Sequence, residues 1–194
     1  EEVQRNVPGA QWIGTVHVDQ RKDNGLSPAG LRGAVAAGMR RISCGLESGS
    51  QALLDAMDKG CSVEANSEFV RNAHEAGLSV RCTMFKGYPG ETAQDLELTA
   101  EFLERHSGYI DRIRFNDFSI PAGTPVLREI QENPERLPNI RIAAISGEHA
   151  RALYSNSEGH GRSYRRAKHR VLRLVHEINR RKIRSSARVF DGLM

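Results

Sequence analysis

An acid at position 47, a base at position 59 and a stretch of bare main chain at Gly87-Tyr88-Pro89-Gly90-Glu91 are the residues of this 194-residue chain whose types and spacing suit ligand chemistry. Glu47 closes the apolar stretch Ile42-Ser43-Cys44-Gly45-Leu46, where a carboxylate is excluded unless it meets a solvated cleft or a partner. It suits ribose hydroxyls or a ligand ammonium, and equally the positive end of the helix that starts after Ser50. Lys59, one short helix later at a Lys-Gly break, could pair with a ligand carboxylate or lie solvated on the surface. In the third piece, two glycines and a proline let the backbone approach a planar or charged ligand with no Cβ in the way. Any tight turn from strand to helix looks similar, so the weight comes from two such turns on consecutive strands.

Other candidates are less specific. Arg81 and Thr83 alternate with Val80 and Cys82, so one parity faces the inside of a sheet, lining a site or turned outward. Arg112 and Arg114 pose the same choice. Asn116-Asp117 offers amide and carboxylate groups to a base edge, or simply makes a turn. Cys44, Cys61 and Cys82 are odd in number, widely spaced and without a CxxC or CxxxC partner, which argues for small buried thiols over a disulfide framework or a self-contained metal site.

These residues are positioned by an alternation of strands and helices. Gln11 to Val18 reads as a strand, Asp19 to Gly25 as a polar loop, and Ser27-Pro28 as the start of a short helix that stops at Gly38. Arg40 to Glu47 is the next strand, followed by helices from Gln51 to Met57 and from Ser62 to Gly77. Leu78 to Phe85 is a third strand, and its helix opens at Thr92 with Asp95 three residues on. Ile110 to Ile120 is a fourth. Strands spaced about 30 to 40 residues apart with helices between them imply a parallel sheet with right-handed crossovers. Ligands bind beyond the carboxyl ends of such strands.

From Pro121 the pattern changes, with Pro121, Pro125, Pro134 and Pro138 marking a loop-rich extension in which Ile140 to Ile145 is a short apolar element. Residues 1–125 form the α/β unit and 126–194 the extension. The net charge of +4 hides an asymmetry: about a dozen Arg and Lys lie between Arg151 and Arg188, against Glu158 and Glu177. Ser155 to Gly161 reads as a turn, and Tyr164 to Arg184 as a basic helix with an apolar face of Val171, Leu174, Val175 and Ile178. Such a helix could bind phosphate backbones, but Tyr154, Tyr164 and Phe190 are too few aromatics to stack single strands. A solvated face, or a patch for another domain, is the commoner use. The 39% hydrophobic content supports a core, and no apolar run approaches the roughly 20 residues of a membrane span, so a cytoplasmic protein is expected.

Gly38-Met39-Arg40-Arg41-Ile42-Ser43-Cys44-Gly45-Leu46-Glu47-Ser48-Gly49-Ser50-Gln51, then Leu54, Met57, Lys59 and Gly60, then Ala76-Gly77-Leu78, and then Gly87 to Thr92 with Asp95, together resemble the radical S-adenosylmethionine (radical SAM) superfamily in order and spacing. The likeness covers about residues 11 to 125. Gly45-Leu46-Glu47-Ser48, with Glu where methylthiotransferases and coproporphyrinogen dehydrogenases usually carry Gln, is more similar to the branch that includes cobalamin-dependent enzymes.

The resemblance implies an incomplete (β/α)6 barrel of about strands three to six, plus a helical C-terminal extension. It also implies S-adenosylmethionine as cofactor, held by Glu47, Ser48, Lys59, Arg81, Gly87, Tyr88, Pro89 and Asn116. Glu47 would meet the ribose or amino-acid part, Lys59 the carboxylate and the Gly87 turn the adenine. A four-iron four-sulfur cluster, an electron donor such as flavodoxin or ferredoxin, a small-molecule substrate and, in the cobalamin branch, a cobalamin follow by the same inference. The CxxxCxxC that would hold the cluster is absent. With Glu1 in place of Met and the first two βα units missing, the chain reads as a piece of a longer enzyme, inactive alone. A non-enzymatic nucleic-acid-binding module led by the basic helix, and a βα phosphate-binding enzyme, are the competing readings.

Overall fold

The computed structural model describes residues 2–21, 26–137 and 139–192; residues 22–25 of the polar loop and Pro138 lie outside them. After a short helix α1 (Glu2–Asn6) come β1 (Trp12–Val16), α2 (Pro28–Ala36), β2 (Met39–Glu47), α3 (Gln51–Ala56), α4 (Val63–Glu75), β3 (Ser79–Lys86), α5 (Ala93–His106) and β4 (Arg112–Asp117). The four strands pair in parallel in the order β1-β2-β3-β4, an open partial α/β barrel sheet. Helix starts fall where polar side chains can satisfy the free N–H groups of a first turn. Ser27 Oγ accepts the Gly30 N–H at 3.1 Å, and Ser62 Oγ the Ala65 N–H at 3.0 Å. Thr92 and Asp95 cap α5 reciprocally, at 2.8 and 3.3 Å.

Side-chain parity gives the sheet two unlike faces. Ile42, Cys44 and Leu46 of β2 and Val80, Cys82 and Met84 of β3 are buried among the apolar stripes of α4 and α5. Cys44 and Cys82 pair in register there, with Sγ atoms 3.8 Å apart and both thiols free. Burial pushes the Cys82 thiol far above its ordinary range, which suits inert packing. On the opposite face, the registers align Ser43 with Arg81 and Arg112, and Gly45 with Thr83 and Arg114. Parallel sheets are usually apolar on both sides, so this polar concave face marks a solvated lumen. It settles the ambiguity of Arg81, Thr83, Arg112 and Arg114: all four point into the barrel.

Past β4 the chain departs from the sequence expectation. Ile110 to Ile120 is not one strand: β4 ends at Asp117, and Ile120–Pro121 forms β5 in a second sheet. There β7 (Arg151–Asn156) lies antiparallel between β5 and β6 (Ile140–Ser146), in the order β5-β7-β6. Helix α6 (Pro125–Glu132) covers it, enclosing a small core of Ile120, Leu127, Ile130, Ile140 and Ala152. Ser155 and Asn156 therefore finish a strand, and Ser157–His160 is a 3-10 turn.

The basic helix α7 spans Arg162–Asn179, shorter than the expected 164–184 at its C-terminal end, and a 3-10 segment (Ser185–Phe190) follows. Its Val171, Leu174, Val175 and Ile178 enter the same core as β2, β3 and α5. The last long helix thus packs back onto the first unit. Among the described residues, no helix is long and apolar enough to cross a membrane.

Candidate functional site

Glu47 ends β2 in a conformation that costs energy. Its φ is +61°, in the left-handed region, and the register slips by one residue between Gly45 and Glu47 opposite Thr83 and Met84. The Ser48 N–H donates to the Leu46 carbonyl at 2.7 Å, closing a three-residue turn around Glu47. A non-glycine residue held this way costs on the order of 1–3 kcal/mol and, like the bulge itself, tends to mark a place where a side chain is aimed for use. Gly45 makes room for it, since a Cβ there would collide with Glu47 Oε1.

The aimed carboxylate is only half satisfied. Glu47 Oε1 lies 2.9 Å from Lys59 Nζ, whereas Glu47 Oε2, in a side chain 8% exposed, has no hydrogen-bond partner among the described residues. An acceptor buried like this costs about 1–3 kcal/mol until a donor reaches it. Lys59 is set by its own irregular loop, with Asp58 at φ +49° and Gly60 at φ +65°. His17 Nε2 lies 2.9 Å from the Lys59 carbonyl oxygen, tying this loop to the end of β1.

The second turn follows β3. Gly87 and Gly90 adopt φ values of +78° and +85°, which exclude most side chains. Glu91 does not face the ligand space: it is 2% exposed, and its Oε2 accepts the Gly87 N–H at 2.6 Å and the Tyr164 hydroxyl at 2.5 Å. Burial raises the Glu91 carboxyl above its ordinary range, against these two hydrogen bonds. The Tyr88 hydroxyl donates to the Ala56 carbonyl at 3.1 Å, and its ring meets Phe118 edge-on at 4.8 Å. Lys86, at the strand end, pairs with Asp117.

Between the two turns, above the carboxyl ends of the strands, lies a cavity of about 830 Å³. Glu47 and Lys59 form its charged side, Phe85, Tyr88 and Phe118 its aromatic floor, and α6 with the residues up to Leu137 its far wall. Such a space, mostly apolar with a few convergent polar groups, suits a small ligand.

Of the expected residues, Glu47, Lys59, Tyr88 and Pro89 line this cavity and Gly87 roots the turn beside them. Asn116 lies on the lumen face in register with Phe85, its Oδ1 accepting from Arg114 Nε at 3.3 Å. Two residues are elsewhere. Ser48 is buried against α5, its Oγ 3.2 Å from Thr99 Oγ1, where it also accepts the Ser50 N–H at 3.0 Å. Arg81 sits near the start of β3 in a recess with Arg41, Arg112 and Asp191, at the opposite end of the barrel. The sequence placed these two by strand and motif membership, which does not distinguish the two ends of a strand or the two sides of a turn.

Tyr154 and Tyr164, which hold the second turn, were missed as site elements. Their only signal was aromatic residues in an otherwise basic and polar stretch. The residues present do not fit an iron–sulfur cluster. Among the described residues no group of three or more His, Cys, Asp or Glu could hold a metal, and Cys44 and Cys82 lie on the helix side of the sheet.

Comparisons with known proteins agree with the fold. Residues 23–103 match the family model of the Radical SAM superfamily. The ribosomal protein uS12 methylthiotransferase RimO of Flavobacterium psychrophilum is 25% identical over 127 residues, 64% of this chain and 29% of the relative. The RimO of Desulforudis audaxviator is 36% identical over 88 residues, 44% and 19% of the two chains. The chain therefore spans less than a third of the length of these curated relatives.

In fold, it is similar to the cobalamin-dependent S-adenosylmethionine radical enzyme OxsB with aqua-cobalamin and S-adenosylmethionine bound, at a TM-score of 0.67 and 16% identity over 86% of this chain and 29% of that one. The radical S-adenosylmethionine methyltransferase TsrM from Kitasatospora setae gives 0.62 at 14% identity, over 89% and 39%. The relatives found by sequence are methylthiotransferases, while these structural neighbours are cobalamin enzymes.

Proposed function

Because residues 23–103 match the radical SAM superfamily model, we propose that this chain is the S-adenosylmethionine-holding half of a radical enzyme. The observation that carries the reading is Glu47 Oε2, a buried acceptor without a donor among the described residues, facing a cavity bounded by the bare Gly87 turn. A ribose hydroxyl or the amino group of S-adenosylmethionine would supply the missing hydrogen bond. Lys59, its side chain 26% exposed and its Nζ 2.9 Å from Glu47 Oε1, retains donor capacity for the ligand carboxylate. Gly87 to Pro89 would present main-chain groups to the adenine, with the Tyr88 and Phe118 rings excluding water and Asn116 at the rim.

A four-iron four-sulfur cluster, when bound, supplies the electron that cleaves the sulfonium. Its ligands are not among the cysteines of this chain, so it is expected on another part of the protein, reduced by a donor such as flavodoxin or ferredoxin. The Glu at position 47 and the resemblance in fold to OxsB and TsrM favour a group transfer that uses cobalamin, again held outside this chain. The substrate would enter against the α6 wall. Nothing in the comparisons supports the competing nucleic-acid module, and of the basic side chains of α7 that it would use, Arg170 is engaged by Glu97 and Glu104.

Isothermal titration of the chain with S-adenosylhomocysteine tests the reading. Binding that weakens about tenfold in Glu47→Gln, the scale of one hydrogen bond to a charged group, is expected. No binding to the unsubstituted chain overturns the proposal.

A further inference from the structure

Gly87 is held at both ends of its main chain, on one side by the Tyr154 hydroxyl directly and on the other by Glu91, which Tyr164 holds in turn. Its N–H donates to Glu91 Oε2 at 2.6 Å, and that oxygen also accepts the Tyr164 hydroxyl of α7 at 2.5 Å. Its carbonyl lies 3.0 Å from the Tyr154 hydroxyl of β7, which shares its single proton with the Phe118 carbonyl, also at 3.0 Å. Neither tyrosine lines the cavity. They touch the turn from behind.

Packing holds Tyr88 and Pro89 in this turn but not the glycines beside them. A Cβ at Gly87 would meet nothing within 4 Å, and one at Gly90 only Leu137 at 4.0 Å, so two glycines in left-handed conformation stand in open space. A glycine pair without steric neighbours samples many conformers, and a loop that wanders by an ångström loses most of its value as a binding surface. At Gly87 itself, the hydrogen bonds to Glu91 and Tyr154 are what fix the backbone. Glu91 is in turn set by Tyr164, since a buried carboxylate oxygen that lost this donor would seek another.

We propose that Tyr154 and Tyr164 are positioning residues that hold the Gly87–Pro89 main chain in register with the adenine edge of the bound ligand, coupling the C-terminal extension to the cofactor site. The assignment rests on the functional reading above. It differs from a simple anchoring role: α7 is already fixed by Val171, Leu174, Val175 and Ile178 in the core. Losing one hydroxyl should leave the helix in place.

The test is titration of the full chain and of Tyr164→Phe and Tyr154→Phe with S-adenosylhomocysteine and S-inosylhomocysteine, together with melting temperatures and amide hydrogen exchange. The unsubstituted chain is expected to prefer the adenosyl ligand. Each variant should lose about five- to tenfold of adenosyl affinity and little inosyl affinity, the size of one hydrogen bond. Exchange at residues 87–91 should speed up, with the strands still protected. Equal loss of both ligands in step with melting temperature makes the tyrosines merely structural and overturns the proposal, as does a preference unchanged in both variants. An unsubstituted chain that binds neither ligand overturns the functional reading and this assignment with it; one that binds normally beside unaffected variants overturns this assignment alone.

Discussion

Lys59 Nζ approaches Glu47 from one side only, 2.9 Å from Oε1, and leaves Oε2 buried and unmet among the described residues. The asymmetry has an energetic consequence. Lys59→Ala would strand a carboxylate that is 8% exposed, whereas Glu47→Gln strands only an ammonium that water can still reach. Discounted for the partial exposure of Lys59, the first change should lower stability by about 1–2 kcal/mol and the second by less than about 0.5 kcal/mol. Urea unfolding of both variants and of the double variant closes the cycle. Additive losses would show that the pair is not coupled.

Glu91 should make stability fall as pH rises. Burial holds its folded pKa above the unfolded value, so the folded state binds more protons and stability decreases with pH. The contribution is complete below the ordinary Glu value of about 4.3 and is lost as pH climbs through the raised folded value. Glu91→Gln keeps the shape and an amide in place of the acid, and should flatten this slope. Thermal unfolding between about pH 4 and 7, read as the difference between the two proteins, decides it. A difference that does not change with pH would contradict the assignment.

The return of α7 to the barrel core predicts a large cost for truncating its buried face. Ile178→Ala, at a site with 0% exposure, should lose about 2–5 kcal/mol and Val171→Ala less, since fewer atoms leave. The exposed Arg165→Ala on the same helix should stay within about 0.5 kcal/mol. If α7 were instead a free patch for a partner, all three changes would be small in chemical unfolding.

What the sequence disclosed follows from how local each feature is. Thr92 with Asp95, Ser62 and Ser27-Pro28 are written in adjacent residues, so the helices could be placed to within a residue or two. The lumen face was half legible: the alternation of Arg81 and Thr83 with Val80 and Cys82 showed two parities, but only pairing with Arg112 and Arg114 identified the open one. β7 follows β6 by four residues and was missed because part of it read as a turn; the other element missed is non-local. β5 has just two residues and finds β7 some thirty residues on, so no window of sequence contains the second sheet. Glu47 was recognised because a carboxylate at a strand end is conspicuous. Ser48, its neighbour, was placed with it, yet the turn sends the Ser48 hydroxyl to Thr99.

Two glycines, one beside each end of the site, should respond to alanine for opposite reasons. At Gly49 a Cβ would stand 2.6 Å from Thr99 Cα, 2.7 Å from the Leu98 carbonyl oxygen and 2.9 Å from Phe102 Cβ, all on α5. Backbone cannot yield as a side-chain tip does, so Gly49→Ala must push α5 from the sheet. A loss of about 3 kcal/mol or more is expected, with weakened ligand binding as a by-product. At Gly87 there is open space and the obstacle is the φ of +78° alone, for which Gly87→Ala should cost about 1–2 kcal/mol. Asparagine tolerates the left-handed region better, so Gly87→Asn should recover part of that loss, whereas Gly49→Asn should recover none. Melting curves of the four variants separate steric from conformational cost; rescue at position 49, or none at 87, would reverse the assignment.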